Sequence, residues 1–377
     1  MALDDLPDPY DTALPAVASP PAAPAPAAAA PAVTRTERRE PDTTLPPRKT
    51  DSRRAVHRRR ASDRGSQLRS PFVVAHRGAS GVLPEHTLPA FARAIALGAD
   101  AVEVDVVATA DGRLVARHEP ELADTTDAAT RDDLLAIARA RGAQVEHAGA
   151  LCTHDLPLRE VTRLKARQRS SSRPLTHDDL FMVPTFAQVV GLVRRSRTTG
   201  GRIPALHVEL KSTDLHARLG LPLEREVIRD LASHGWNRAD APVLVQSFEA
   251  DSLLLVAGRS SVPLMQLARL DDEGLARTTD RGLEAIATYA VGIGVSRELL
   301  AEAGDELIER AHRRGLVVHV FTFADDHPFE TDPEGAYTGA LDLGVDGLVT
   351  DFPGSATRAR TLWEDQREML PDRRPDA

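Results

Sequence analysis

The sequence predicts an α/β protein: a closed (β/α)8 TIM barrel with an inserted subdomain after strand 2, preceded by a disordered N-terminal tail. Three observations carry that prediction. Eight short apolar runs alternate with amphipathic segments from Pro71 onward, the pattern of a parallel sheet whose crossovers are helices. A 42% hydrophobic fraction with only 4% aromatics points to a core packed from Ala, Val and Leu. Polar residues able to do chemistry stand at the ends of several runs, at the rim where such barrels carry their sites.

Residues 1–70 are the expected tail. Eleven of the 27 prolines fall in the first 47 residues, and Ala16–Val33 is a Pro/Ala tract that can bury almost nothing. Arg48–Arg69 is a basic run. It reads either as a surface that touches anionic lipid or nucleic acid, or as a solvated linker. The tail carries 12 Lys/Arg against 9 Asp/Glu, so the formal charge of −9 leaves the remainder of the chain at −12. An acidic body does not suit a general nucleic-acid binder, and no run approaches the roughly 20 apolar residues of a membrane span. The single cysteine, Cys152, excludes an intrachain disulfide and a thiolate metal cluster.

The barrel is expected over residues 71–365, with 366–377 as a C-terminal tail. Its strands are Phe72–Ala75, Ala101–Val107, Ala205–Leu210, Val243–Ser247, Pro263–Leu267, Val291–Val295, Val317–Phe323 and Asp346–Thr350. Helices are expected at Thr87–Leu97, Thr185–Arg197, Leu223–His234, Ala250–Ala257, Arg297–Arg314 and Pro333–Leu343. Residues 119–183 are too long for an ordinary barrel loop and form the insertion. It should hold helices over Asp132–Ala140 and Leu158–Ala166, then the polar stretch Gln168–Arg173. His147, His154 and His177 in this region read as surface residues.

The rim residues come from separate strands. His76 and Arg77 close the first. Glu103 and Asp105 lie two apart on the second and so face one side, with His118 beyond a short arm, Arg113–Arg117. Glu209 and Lys211 close the third in the same way, and Gln246 ends the fourth. Acids inside apolar strands need neutralising, and three carboxylates without a cysteine suit a hard cation, Mg2+ or Ca2+. Two histidines with near-neutral pKa values can take and give a proton. Arg77 and Lys211 offer donors for phosphoryl oxygens. The acidic loop Ala324–Glu334 reads as solvated rather than as a second metal site.

HRG at His76–Gly78, PEHT at Pro84–Thr87, E-x-D at Glu103–Asp105 and the later His118 together resemble the glycerophosphodiester phosphodiesterases, from about Phe72 to Pro353. The insertion is most similar to that of a subfamily carrying one on the catalytic face, and Leu156–Lys165 matches its amphipathic helix. The resemblance implies metal-dependent hydrolysis of glycerophosphodiesters to glycerol 3-phosphate and an alcohol. It implies His118 as base and His76 as acid, with Glu103, Asp105 and Glu209 as metal ligands. Arg77 and Lys211 would bind phosphate. Glu85 becomes a fourth ligand or the partner that orients Arg77, and Gln246 and Phe323 support the site. Three positions depart from the family. His86 stands where Asn is usual, Glu119 follows His118 in place of Asp, and Phe321 or Phe323 replaces a Trp.

Two other readings use the same residues. One is a phospholipase C- or D-like barrel acting on intact lipid; the other is a non-catalytic barrel that binds phosphodiesters. The N-terminus lacks the apolar core of a signal peptide, so cytoplasmic residence is the expectation, although relatives with the insertion are often exported.

Overall fold

Valine dominates the strands, followed by leucine and alanine, because the barrel strands are buried on both faces, against helices outside and against the barrel interior inside. In the computed structural model, which describes residues 70–327 and 330–369, nine strands form one sheet. They are β1 (Phe72–Ala75), β2 (Ala101–Ala108), β3 (Leu114–Ala116), β4 (Ala205–Leu210), β5 (Val243–Ser247), β6 (Leu264–Ala268), β7 (Gly292–Ser296), β8 (Val317–Phe323) and β9 (Gly347–Thr350). The order β1-β9-β8-β7-β6-β5-β4-β2 closes through a β1–β2 pairing, and all eight of these strands run parallel. The barrel is therefore the expected eight-stranded one. The arm after β2 is a ninth strand, β3, antiparallel to β2 and outside the ring. The N-terminal tail with its basic run, and the last eight residues, lie outside the described residues.

Strand alternation decides what faces where. Val102, Val104 and Val106 join the core between strands and helices, so Glu103 and Asp105 point to the interior. Beside Glu103 in the β2–β4 register and two residues before Glu209, His207 stacks its ring on that of His319, with centroids 5.4 Å apart. Gly347 makes room for that pair, because a Cβ there would lie 2.7 Å from the His319 ring.

The helices begin where their caps allow. Thr87 accepts from the Ala90 N–H, Pro89 fills the first turn, and Phe91, Ala94 and Ile95 of Leu88–Ala96 turn inward. The expected single helix Arg297–Arg314 is two, Arg297–Ala303 and Glu306–Arg313. They part at Gly304, whose φ of +80° ends the first. Short helices at Thr213–Arg218, Asp272–Thr278 and Asp280–Ile286 were not expected. The final helix, Pro353–Met369, runs past residue 365. Among the described residues no helix is long and apolar enough to cross a membrane.

The insertion has its own core. Leu122, Leu134, Leu151, Leu156 and Leu164 are fully buried together with Val107 of β2 and Val115 of β3, so it is seated on the part of β2 that rises above the barrel. Asp132–Ala140 is helical as expected. The longer helix expected over Leu156–Lys165 is not formed: only Leu158–Val161 is helical. Beyond it the chain extends, pairing Lys165 with Met182 and Ala166 with Thr126. Tertiary pairing across the insertion has overridden a local amphipathic pattern.

Candidate active site

β1 delivers His76 and Arg77 into a tight turn. Arg77 (φ +58°) and Gly78 (φ +89°) both adopt the left-handed conformation. Gly78 is required twice over, since a Cβ there would lie 2.7 Å from the Ala90 backbone carbon. The turn presents the Arg77 N–H to Glu103 Oε2 at 3.0 Å. The His76 ring meets Asp351, the residue after β9, with Nδ1 2.7 Å from Oδ1, and Ser80 Oγ lies 2.9 Å from the same oxygen.

The β2–β4 register sets Asp105 beside Glu209. Glu103, Asp105 and Glu209 consequently converge, with one carboxylate oxygen from each within 4.8 Å of the others. Burial, then the neighbouring acids Asp105 and Glu209, hold the Glu103 carboxyl well above its usual range. Glu209 is pushed up to about 7, chiefly by burial and against the pull of Lys211. Asp105 stays low despite its burial, because Lys211, a bond from His86 and Arg77 outweigh it. Glu103 Oε1 and Asp105 Oδ1 are buried without a hydrogen-bond partner. An all-oxygen set with two unpartnered acceptors is what a hard cation requires, so these residues fit one.

The two expected phosphate binders lie beside the acids. Lys211 Nζ is 2.6 Å from Glu209 and 3.6 Å from Asp105, so its present contacts are those of an ion pair. Arg77 places Nε 3.2 Å from Asp105 and donates through Nη1 to Glu85 at 3.2 Å. Burial alone would lower its pKa, but Glu85 and Asp105 raise it. Glu85 accepts from Arg77 and, at 2.7 Å on both oxygens, from Arg169. It sits as the partner of two arginines and outside the converging trio. His86 also adopts the left-handed conformation (φ +60°) and meets Asp105 through Nε2 at 2.9 Å. Burial pushes its pKa down to about 4 against the pull of Asp105, so the neutral ring donates to the carboxylate.

His118 follows β3, and its Nδ1 lies 2.5 Å from Glu119 Oε1. Burial lowers its pKa, with the Glu119 bond opposing. Glu119, noted only as a departure from the family, is thus the counterpart of Asp351: each histidine has a carboxylate at Nδ1. Burial disfavours the charge on both carboxylates, yet both are held low. His118 and Arg169 do this for Glu119, His76 and Arg173 for Asp351.

Arg169 and Arg173, in the polar stretch of the insertion, and Ser80 were missed as site residues. Their acidic partners lie up to 271 residues away in the chain, which no local spacing could reveal. Gln246 pairs with Glu209 in the β4–β5 register and is buried at the rim. Phe323 does not face the site. A register irregularity between Val320 and Phe323 shifts the alternation, so Phe323 packs on Tyr337 under Arg297. Phe321 faces the barrel, edge-on to Phe248, and Lys211 lies over the Phe248 ring. The acidic loop is less solvated than expected: Asp325 accepts from Tyr337, Asp326 from Arg173 and Glu330 from Arg297. His147 is exposed, while His154 and His177 are half-buried. Cys152, His154 and Asp155 form a second close group, but one tight turn brings them together, with the Cys152 N–H donating to Asp155 at 2.8 Å.

Residues 76–355 match the model of the glycerophosphoryl diester phosphodiesterase family. The chain is 49% identical over 301 residues to the probable glycerophosphodiester phosphodiesterase 1 of Mycobacterium tuberculosis, covering 79% of this chain and 94% of that one. Among solved structures, a putative glycerophosphoryl diester phosphodiesterase from Silicibacter pomeroyi superposes with a TM-score of 0.62 at 24% identity, over 78% of this chain and 94% of its own. A phosphodiesterase from Oleispira antarctica, in complex with the product sn-glycerol-3-phosphate, superposes with a TM-score of 0.56 at 21% identity, over 77% and 96%. These two structural likenesses support the barrel fold.

Proposed function

The chain belongs to the glycerophosphoryl diester phosphodiesterase family, and we propose that its His76/His118 pair and buried acidic trio carry out the hydrolysis of glycerophosphodiesters. The observation that carries the proposal is the symmetry of the pair. Each imidazole offers Nδ1 to a carboxylate, His76 to Asp351 and His118 to Glu119, which leaves Nε2 to exchange a proton with substrate.

In this reading the ester's phosphorus sits between the two rings. Burial favours a neutral His118, which takes the proton of the attacking oxygen, either the adjacent glycerol hydroxyl or water. His76, held through Nδ1 by Asp351, gives a proton to the departing alkoxide. The products are glycerol 3-phosphate, the compound held by the Oleispira phosphodiesterase, and a free alcohol. When the adjacent hydroxyl attacks, a cyclic phosphate forms first and water opens it, the rings exchanging roles. The Arg77 Nη2 group lies outside the contacts with Glu85 and Asp105 and is the part of that guanidinium available to a phosphoryl oxygen. Lys211 would exchange its ion pair for the phosphate. Glu103, Asp105 and Glu209 would hold a divalent cation, Mg2+ or Ca2+, which would supply positive charge against the phosphate.

The test is release of glycerol 3-phosphate from glycerophosphocholine, with EDTA and with single metals added back. Activity should vanish with EDTA and return with Mg2+ or Ca2+. The His118→Ala variant should still bind phosphate while turnover falls by about 10²–10⁴. Full turnover in EDTA would overturn the metal assignment, and full turnover in the variant would remove His118 from the chemistry.

A further inference from the structure

We propose that Arg169 and Arg173, both carried by the insertion, are positioning residues for the two imidazoles, which makes the insertion part of the catalytic apparatus. The proposal rests on the hydrolytic reading above and concerns residues that reading does not use.

Each arginine grips the carboxylate behind one histidine. Arg173 Nη2 lies 2.7 Å from Asp351 Oδ2, while the other oxygen of Asp351 faces His76. Its Nε and Nη2 also hold Asp326 at 2.7 and 3.0 Å, and Nη1 reaches the Ser80 carbonyl at 3.2 Å. Arg169 donates from Nη1 and Nη2 to Glu119 at 3.0 and 2.8 Å, and Glu119 in turn meets His118. Through Nε and Nη2 it takes both oxygens of Glu85, the partner of Arg77. One six-residue stretch therefore fixes the supports of His76, His118 and Arg77. The stretch is itself anchored: Gln168 donates from its side chain to the Ser80 carbonyl at 3.1 Å, and its N–H meets Asp178 at 2.7 Å.

The chemistry follows from the geometry. A carboxylate shared between a guanidinium and an imidazole stays ionised and cannot rotate, so it fixes which ring nitrogen carries the proton. Neither arginine is arranged as a phosphate clamp, because Nε, Nη1 and Nη2 of both already donate to acids or a carbonyl. Lysine cannot replace either, since a point charge reaches one such acceptor set and not two at once.

The experiment measures kcat and KM on glycerophosphocholine for Arg169→Ala, Arg173→Ala and the two Lys variants, with melting followed in parallel. It adds Arg173→Ala in an Asp351→Asn background and Arg169→Ala in a Glu119→Gln background. We expect kcat to fall by roughly 10²-fold with KM little changed, free guanidinium to restore part of it in the Ala variants, and each Arg loss to cost much less once its carboxylate is gone. Unchanged kcat in folded variants overturns the proposal. So does a rise in KM alone, which would place the guanidinium on substrate, and so does full additivity in the double variants. Should the Ala variants fail to fold, the Lys variants carry the test: an unchanged kcat in them overturns it. If the wild type itself is inert, the hydrolytic reading fails. Histidine ¹⁵N spectra then decide the positioning claim, which requires the His76 Nδ1–H signal to change in an Arg173 variant and is overturned if it does not.

Discussion

His86 shows how much one position can hold. It sits at φ +60°, where a side chain with a Cβ pays about 1–2 kcal/mol unless, like Asn, Asp or His, it suits that region. Its Nε2 supports Asp105, so the residue must tolerate the turn and donate a hydrogen bond. Asn can do both, which accounts for His86 standing where the resemblance leads one to expect Asn. His86→Asn should leave chemical stability within about 0.5 kcal/mol, while His86→Ala should cost about 2 kcal/mol through the backbone and the lost bond. Urea unfolding of both checks this, and equal losses would show that the backbone conformation is not the constraint. At this scale the sequence was informative where strand alternation holds. Glu103, Asp105 and Glu209 were legible because period two puts them on one face. Phe323 was misplaced because the irregularity in β8 breaks that period, and the His76–Asp351 pair spans 275 residues.

The insertion was legible as an extra element but not in its inner form. Its excess length marked it, and Asp132–Ala140 was readable because its first turn is acidic and its apolar residues recur at helical spacing. Leu156–Lys165 has a similar pattern, yet only Leu158–Val161 is helical: a turn follows at Thr162 and Arg163, and the bridge from Lys165 to Met182 then takes over the backbone pairing. Leu122, fully buried between the insertion and the β2–β3 ribbon, tests whether this element folds onto the barrel as a packed unit. Leu122→Ala should cost about 2–5 kcal/mol, and limited proteolysis should then cut first within residues 119–183. A variant that melts as the wild type does and resists protease would mean the packing there is not cooperative with the site.

Across the molecule, barrel closure brings β1 and β9 together, and with them His76 and Asp351 from opposite ends of the chain. The barrel class was legible from the alternation of elements; the pairing of residues across the closure was not, because it depends on the three-dimensional return of the sheet. The stacked pair inside the barrel adds a pH dependence. Burial pushes His207 down to about 3 and His319 to about 4, below the ordinary value near 6.5. The folded state thus binds fewer protons than the unfolded one. Stability should be full above about pH 6.5 and fall by about 1.4 kcal/mol per pH unit for each ring as pH drops toward the folded values. His319→Gln should flatten that fall between about pH 6.5 and 4.5, and an unchanged slope in urea midpoints would assign the acid sensitivity elsewhere. Two of the acidic trio behave in the opposite sense, Asp105 being held low. Glu209, pushed up to about 7, and Glu103, held well above its usual range by burial and then by Asp105 and Glu209, keep protons that a cation must displace. The direct measurement is calorimetric titration of metal-stripped protein with Mg2+ or Ca2+, in buffers that report proton release. One ion should bind, releasing more protons at about pH 6 than at pH 8, and Glu209→Gln should abolish binding. Equal affinity in Glu209→Gln, with no proton released at either pH, would contradict the account.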